Sequence, residues 1–257
     1  MNALVGPPLF VFVDLDDTLF CSARKCPPGA LLEPAALLQD GAVISYTSPG
    51  QRRLLHWLKQ GATLIPVTAR SLDGYARVLL KFEGPAVVSF GAVILDNAGR
   101  PDPIWADHMR ATLAAAQPLL TRVGEALNAA IAARGLDAWA RGVDEFGQTQ
   151  YLLAKHRGAD VLALDALRIE VLQPWAASRP GWRVFQNDNN LVLLPPGLDK
   201  ANAVAHLMAG LRGQHGDILS IGIGDSFSDA GFLGLCDFAM TPSRSQLAQR
   251  LFATEGE

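Results

Sequence analysis

Five apolar residues in a row, Leu9-Phe10-Val11-Phe12-Val13, run straight into Asp14-Leu15-Asp16-Asp17-Thr18-Leu19. An unbroken apolar run of this length, without polar alternation, reads as a strand buried on both faces, as in a parallel sheet. Carboxylates at the end of such a strand are costly unless a metal, a cation or hydrogen bonds compensate them. In open α/β sheets, the carboxyl ends of the strands are where ligands bind. The stretch therefore predicts an α/β fold with an acidic, metal-assisted site at the end of its first strand.

The rest of the composition narrows the partners. The chain has 257 residues, 49% of them apolar, enough for one large domain or two modest ones. Its net charge is −3 and no basic stripe stands out, so nucleic acid is not an expected partner. The apolar runs are too short or too interrupted to span a bilayer, so no membrane partner is expected either. Met1-Asn2-Ala3-Leu4 lacks the basic start of a secretory leader. Cys21, Cys26 and Cys236 make an odd count without zinc-like spacing, which reads as free thiols in a cytoplasmic protein.

Phe20–Pro49, rich in Pro, Gly and Ala, is expected to form an irregular flap with a strand-like patch at Ala42–Tyr46, and Arg24 and Lys25 within it read as solvated charges. Ser48-Pro49 offers a cap and a first-turn proline for a helix to about Gln60. Ala62–Val67 is a second buried strand, with Pro66 near its end, leading to Thr68-Ala69-Arg70-Ser71. A helix over about 72–82 follows. Ala86–Ser89 and Ala92–Leu95 then read as a strand continuing into a hairpin, with a turn at Asn97-Ala98-Gly99.

From about Pro101 the character changes. Met109, Leu113, Leu120, Val123, Leu127 and Ile131 recur by threes and fours, predicting an amphipathic helix or helix pair, divided at Pro118 and ended by Gly135. A strand at Gln150–Lys155, a helix from Asp160 to a stop at Pro174, and a hairpin of Trp182–Gln186 with Asn190–Leu194 complete a small α+β module. The expected division is a core of 1–100 and 195–257 with 101–194 inserted. The core resumes with a helix opening at Leu198-Asp199-Lys200, where Asp199 is a plausible cap. A cation in a first helical turn opposes the macrodipole, a cost with a purpose if an anion sits there. A third buried strand, Asp217–Ile223, runs into Gly224-Asp225-Ser226-Phe227-Ser228-Asp229, and Cys236–Met240 and Ser243–Phe252 read as a last strand and helix.

Asp14 and Asp16, Thr68, Lys200, and Asp225 and Asp229 thus all lie at expected strand ends or helix starts, which a parallel sheet brings to one edge. Taken singly, each has a plain structural reading: Thr68 as a helix cap, Asp16 and Asp17 as turn formers, Asp225 and Asp229 as acids at a helix N-terminus. Together they suit one chemistry. Carboxylates gathered at one point repel unless a dication holds them, and all-oxygen ligation with few protein groups suits Mg2+. The Thr68 hydroxyl and the Lys200 ammonium would complement a phosphate. One aspartate can act as nucleophile and a second as acid and base. The histidines His56, His108, His156, His206 and His215 are scattered and read as surface or helix-face residues.

On these four motifs in this order, the chain resembles the haloacid dehalogenase superfamily of phosphohydrolases. The resemblance implies a Rossmann-like core with a parallel sheet and an inserted α+β cap domain. It implies Asp14 as nucleophile and Mg2+ ligand, and Asp16 as general acid and base with its backbone carbonyl on the metal. Thr68 and Lys200 would hold the phosphoryl group, Asp225 would bind Mg2+, and Asp229 would either bind it or position Lys200 and metal waters. The module's place resembles the large cap of the branch containing Cof-type sugar phosphatases and sucrose-phosphate phosphatase. Ser89-Phe90-Gly91-Ala92 looks like that branch's Asn-Gly-Ala turn, with Phe90 where Asn is usual, and Ser228 stands where Asn often precedes the last Asp. The implied function is a Mg2+-dependent phosphatase acting on a small phosphorylated metabolite such as a sugar phosphate, through an aspartyl-phosphate. Two alternatives are a phosphomutase of the phosphomannomutase type and a non-catalytic ligand-binding protein on the same scaffold. The polar residues Lys155, His156, Arg157, Arg183, Asn187 and Asn189 of the module are candidates to reach a leaving group, against the plainer reading of solvated positions.

Overall fold

The computed structural model describes residues 6–252, so the leader reading of Met1–Leu4 lies outside the described residues. The chain divides into two compact units, Met1–Asp102 with Lys200–Glu257, and Pro103–Asp199. The first opens with β1 (Leu9–Val13), buried along nearly its whole length as its unbroken apolar run requires. The flap that follows is more regular than its composition suggests. Strands β2 (Glu33–Leu37) and β3 (Val43–Thr47) form a bulged antiparallel pair, and Cys21 exchanges two backbone hydrogen bonds with Tyr46. Pro34 is tolerated there because a two-stranded ribbon is all edge.

Helix α1 (Pro49–Lys59) begins as its sequence signals. Ser48 accepts from the Gln51 backbone N–H, and the Gln51 side chain accepts from the Ser48 N–H, a reciprocal cap. Next, β4 (Thr63–Pro66) pairs in parallel with β1, and the expected helix over 72–82 shrinks to α2 (Leu72–Ala76). The reason is tertiary. The Leu79 N–H donates to the Ala35 carbonyl and Leu37 N–H to Arg77, so residues 77–79 are drawn onto β2 instead of extending the helix. Strands β5 (Ala86–Val88) and β6 (Val93–Leu95) pair antiparallel around a tight turn in which Ser89 and Phe90 take left-handed φ of 53° and 57°.

The inserted unit begins with α3 (Pro103–Ala114) and α4 (Gln117–Ala133), the expected pair, parted just ahead of Pro118. Its sheet contains a strand the sequence pattern did not reveal, β7 (Ala138–Glu145), paired with β8 (Gln148–His156). A helical run, α5 (Val161–Leu167), passes through a wide turn at 168–172 into α6 (Gln173–Ala177), so Pro174 starts a helical turn where it was expected to stop one. Hairpin β9 (Arg183–Asn187) and β10 (Asn190–Leu194) completes an antiparallel sheet of order β7-β8-β10-β9. Leu120, Val123 and Leu127 of α4 share a core with Ala138, Ala140, Leu152, Leu191 and Leu193 of the sheet.

Back in the first unit come α7 (Lys200–His215), β11 (Leu219–Ile223), α8 (Ala230–Leu233), β12 (Phe238–Met240) and α9 (Gln246–Leu251). The parallel sheet has the order β12-β11-β1-β4, and Val67 bridges in parallel to Val87 beyond β4. From β1 the chain proceeds to one side through β4 and returns on the other through β11, so β1 stands at the point where the strand order reverses. Ligands of open α/β sheets bind at the carboxyl end of such a point. Asp14 is the first residue beyond it. Among the described residues, no helix is long and apolar enough to cross a membrane.

Candidate active site

Asp14 is fixed as the next rung of the sheet, its N–H donating to the Ile223 carbonyl at 2.8 Å. Beyond it the backbone turns sharply. The Leu15 carbonyl accepts from the amides of Leu19 and Phe20, and Asp17 takes a φ of 61°, a conformation aspartate tolerates better than most residues. The turn leaves Asp14 buried at 5% exposure and Asp16 and Asp17 toward the rim.

The first residue of α7 supplies the countercharge. Lys200, 2% exposed, donates from Nζ to Asp14 Oδ1 and to Asp229 Oδ1, each at 2.7 Å. Asp229, itself fully buried, uses its second oxygen to accept from the backbone N–H of Asp225 and of Ser226 and from the Ser226 hydroxyl. Gly224 is required by this closeness, since a Cβ there would lie 2.6 Å from that of Asp229. The Thr18 hydroxyl reaches Asp225 Oδ1 at 3.5 Å. Thr68, 1% exposed at the end of the β4 segment, is held through its own N–H on Val87, and its hydroxyl oxygen accepts from the Arg70 N–H.

Asp14, Asp225 and Asp229 each place one carboxylate oxygen within 4.8 Å of the others, close enough for a single metal ion. Among the described residues, Lys200 is the ammonium that bonds to two of the three, and Lys25 acts on Asp225 through space. Burial, offset in part by Lys200 and reinforced by Asp229 and Asp225, raises the Asp14 carboxyl well above the usual range. Burial, then Asp229 and Asp17, push Asp225 up to about 7. Burial works against the Lys200 ammonium, but Asp14 and Asp229 outweigh it and raise that group. Hard oxygen donors, deficient in positive charge, are the donor set a dication of the Mg2+ class takes. With both Asp229 oxygens already engaged, Asp14 and Asp225 are the freer ligands.

Asp14, Lys200, Asp225 and Asp229 therefore meet at this edge, Thr68 stands at the end of the neighbouring β4 segment, and Asp16 turns its side chain elsewhere. Its carboxylate accepts two hydrogen bonds from Arg70, Nε to Oδ2 and Nη2 to Oδ1, both at 2.7 Å. Arg70 had no assigned role in the sequence reading, although it stands in the same short stretch as Thr68. Lys25, expected to be a solvated charge, pairs with Asp17 at 2.5 Å. Within the inserted unit several polar candidates are engaged locally. Asn189 brackets the His156 backbone, Arg157 pairs with Asp137, and Arg183 bonds to Asp199 and to the Leu198 carbonyl.

No protein-family model and no curated protein matches the sequence. Solved structures do match. Sucrose-phosphatase from Synechocystis, in complex with sucrose and phosphate, aligns over 98% of this chain and 90% of its own, at 16% identity and a TM-score of 0.53. A haloacid dehalogenase-like hydrolase from B. subtilis aligns over 95% of this chain and 92% of its own, at 12% identity and a TM-score of 0.52. An IMP-bound IMP-nucleotidase from Plasmodium falciparum covers 96% of this chain with 67% of its own, at 14% identity and a TM-score of 0.58. The fold is that of haloacid dehalogenase-like hydrolases, with a parallel α/β sheet and a separate antiparallel sheet.

Proposed function

We propose that this chain is a haloacid dehalogenase-type phosphatase, a Mg2+-dependent hydrolase of phosphomonoesters of small metabolites such as sugar phosphates. The observation that carries this reading is the buried Asp14 at the sheet's reversal point, bonded to Lys200 and within metal range of Asp225 and Asp229. The matched structures lend support, one holding sucrose with phosphate and another IMP.

Asp14 is the nucleophile. Its free oxygen forms a bond to phosphorus as the bond to the leaving oxygen breaks, and Asp16 gives that oxygen its proton. The Asp16 carboxylate then takes a proton from water, whose oxygen attacks phosphorus and releases Asp14. Lys200 and the Thr68 hydroxyl hold the phosphoryl oxygens. Asp229 acts by fixing Lys200 and the 225–226 backbone. Asp14, Asp225 and the Asp16 backbone carbonyl are the residues that would hold Mg2+, which would neutralise charge developing on the phosphoryl group.

The test is phosphate release from a panel of phosphorylated metabolites, with and without Mg2+, for the wild type and Asp14→Asn. Asn keeps the shape of the side chain and loses the nucleophilic oxygen. Turnover of some sugar phosphates should fall by roughly 10⁴-fold or more in the variant. Full activity of Asp14→Asn would remove the nucleophile assignment. No release from any ester by the wild type would remove the phosphatase reading.

A further inference from the structure

The proposed chemistry asks Asp16 to carry a proton, yet both of its oxygens are taken by one guanidinium. Two parallel bonds of this kind fix the plane of a carboxylate as well as its position, which a lysine cannot do. Arg70 is itself restrained at several points. Its Nη1 reaches the Gly74 carbonyl at 3.4 Å, and its guanidinium lies 5.1 Å from the centre of the Phe20 ring. Its backbone N–H is held by Thr68 Oγ1 and its carbonyl by the Ser89 N–H at 2.7 Å. The Arg70 side chain is 17% exposed and that of Asp16 46%. The arginine is thus the anchored member of the pair and the carboxylate the one with room to move.

We propose that Arg70 is a positioning residue for Asp16, holding the carboxylate at the rim of the site and giving up one of its two bonds when a leaving-group oxygen takes that place. This rests on the phosphatase reading. The exchange conserves protons within the cycle. Asp16 loses its proton to the leaving oxygen in the first step, returns as a carboxylate to the Arg70 fork, and recovers a proton from the attacking water in the second. The fork therefore aligns Asp16 in both steps, through the one retained bond while the acid faces the leaving oxygen and through both bonds once the carboxylate faces water. Arg70 also follows Thr68 by two residues, so the end of one strand segment supplies both a phosphate-facing hydroxyl and the guide for the proton carrier.

The experiment compares release of the leaving group in the first turnover for two esters, a sugar 6-phosphate and p-nitrophenyl phosphate. The sugar alkoxide needs a proton to leave, and the nitrophenolate does not. Arg70→Ala should slow the sugar ester by roughly 10- to 100-fold, the lower part of what general acid catalysis supplies, and the nitrophenyl ester by less than about threefold. Arg70→Lys, which keeps the charge and loses the fork, should show the same selectivity at smaller amplitude, and it serves if the alanine variant does not fold. Adding Arg70→Ala to Asp16→Asn should cost nothing further. Equal losses on both esters, or a further loss in the Asp16→Asn background, would mean that Arg70 acts on the phosphoryl group or on folding, and would overturn the proposal while leaving the phosphatase reading intact. A wild type that cleaves neither ester would overturn that reading instead.

Discussion

At the floor of the acidic site Lys200 bridges Asp14 and Asp229, with all three side chains nearly sealed from solvent. At its rim Lys25 meets Asp17, with the two side chains 32% and 22% exposed. Both are lysine–aspartate pairs, with N–O distances of 2.7 Å and 2.5 Å. Their energetics differ because their surroundings do. A solvated pair exchanges its partner for water at little cost. A buried one has no such exchange, so removing one member strands a charge in a medium that cannot screen it. The floor keeps its charges away from water, and the rim leaves its pair partly open to it. The comparison can be broken by experiment at either end.

The largest effect is expected from Lys200→Met. The variant leaves Asp14, Asp225 and Asp229 clustered with no ammonium. In EDTA the loss of stability should be about 3–5 kcal/mol, the range for breaking a buried ion pair. Saturating Mg2+ should restore part of it, because the metal takes over the countercharge. Chemical denaturation with and without Mg2+ measures both. A loss of less than about 1 kcal/mol would place the floor in the same class as the rim.

A second effect follows from Asp225, whose carboxyl is pushed up to about 7 by burial, Asp229 and Asp17. An unfolded aspartate titrates near about 4. Between these values the folded protein keeps a proton that the unfolded chain has released. Stability therefore falls as pH rises through this window, the reverse of the usual salt-bridged aspartate. Asp14, also raised, acts in the same direction. In EDTA the melting temperature should drop by several degrees from about pH 4.5 to about 7.5, and Mg2+ should flatten the slope by favouring the ionised carboxylates. A slope unchanged by Mg2+ would mean that the metal does not sit on these acids.

The same contrast explains what the sequence could reveal. β1 was legible because every residue of Leu9–Val13 is apolar, and the place of Asp14 at the strand's end followed from where that run stops. The floor residues were legible together because each stands at a strand end or helix start, positions that the sheet's topology collects. β7 was not, since its inward positions Ala138 and Ala140 are small residues beneath α4, where Asn128 bonds to both backbone groups of Ala140 and larger side chains would not fit as closely. An alternation of alanines carries almost no period-2 signal. The overlong helix at 72–82 failed for another reason, because the pull of β2 on Arg77–Leu79 is a contact far away in the sequence. At the rim, Arg70 and Lys25 find partners 54 and 8 residues away through loop geometry that periodicity does not encode.

The smallest expected effect is the sharpest test of the rim. Lys25→Ala removes the partner of Asp17 but not the cause of its conformation, since the left-handed φ is fixed by the hydrogen bonds that close the 15–20 turn on the Leu15 carbonyl. The variant should lose only about 0.2–1 kcal/mol, the range for exposed pairs. Salt separates the two lysines more clearly than magnitude does. Screening at about 1 M shortens the reach of exposed charges to roughly 3 Å, so the gap between wild type and Lys25→Ala should close in high salt. The gap for Lys200→Met should persist there, because bulk salt screens weakly between side chains as buried as Lys200 and Asp229, which are 2% and 0% exposed. A Lys25→Ala gap that survives salt would show that the rim pair is shielded, and that the acid at position 17 belongs with the floor.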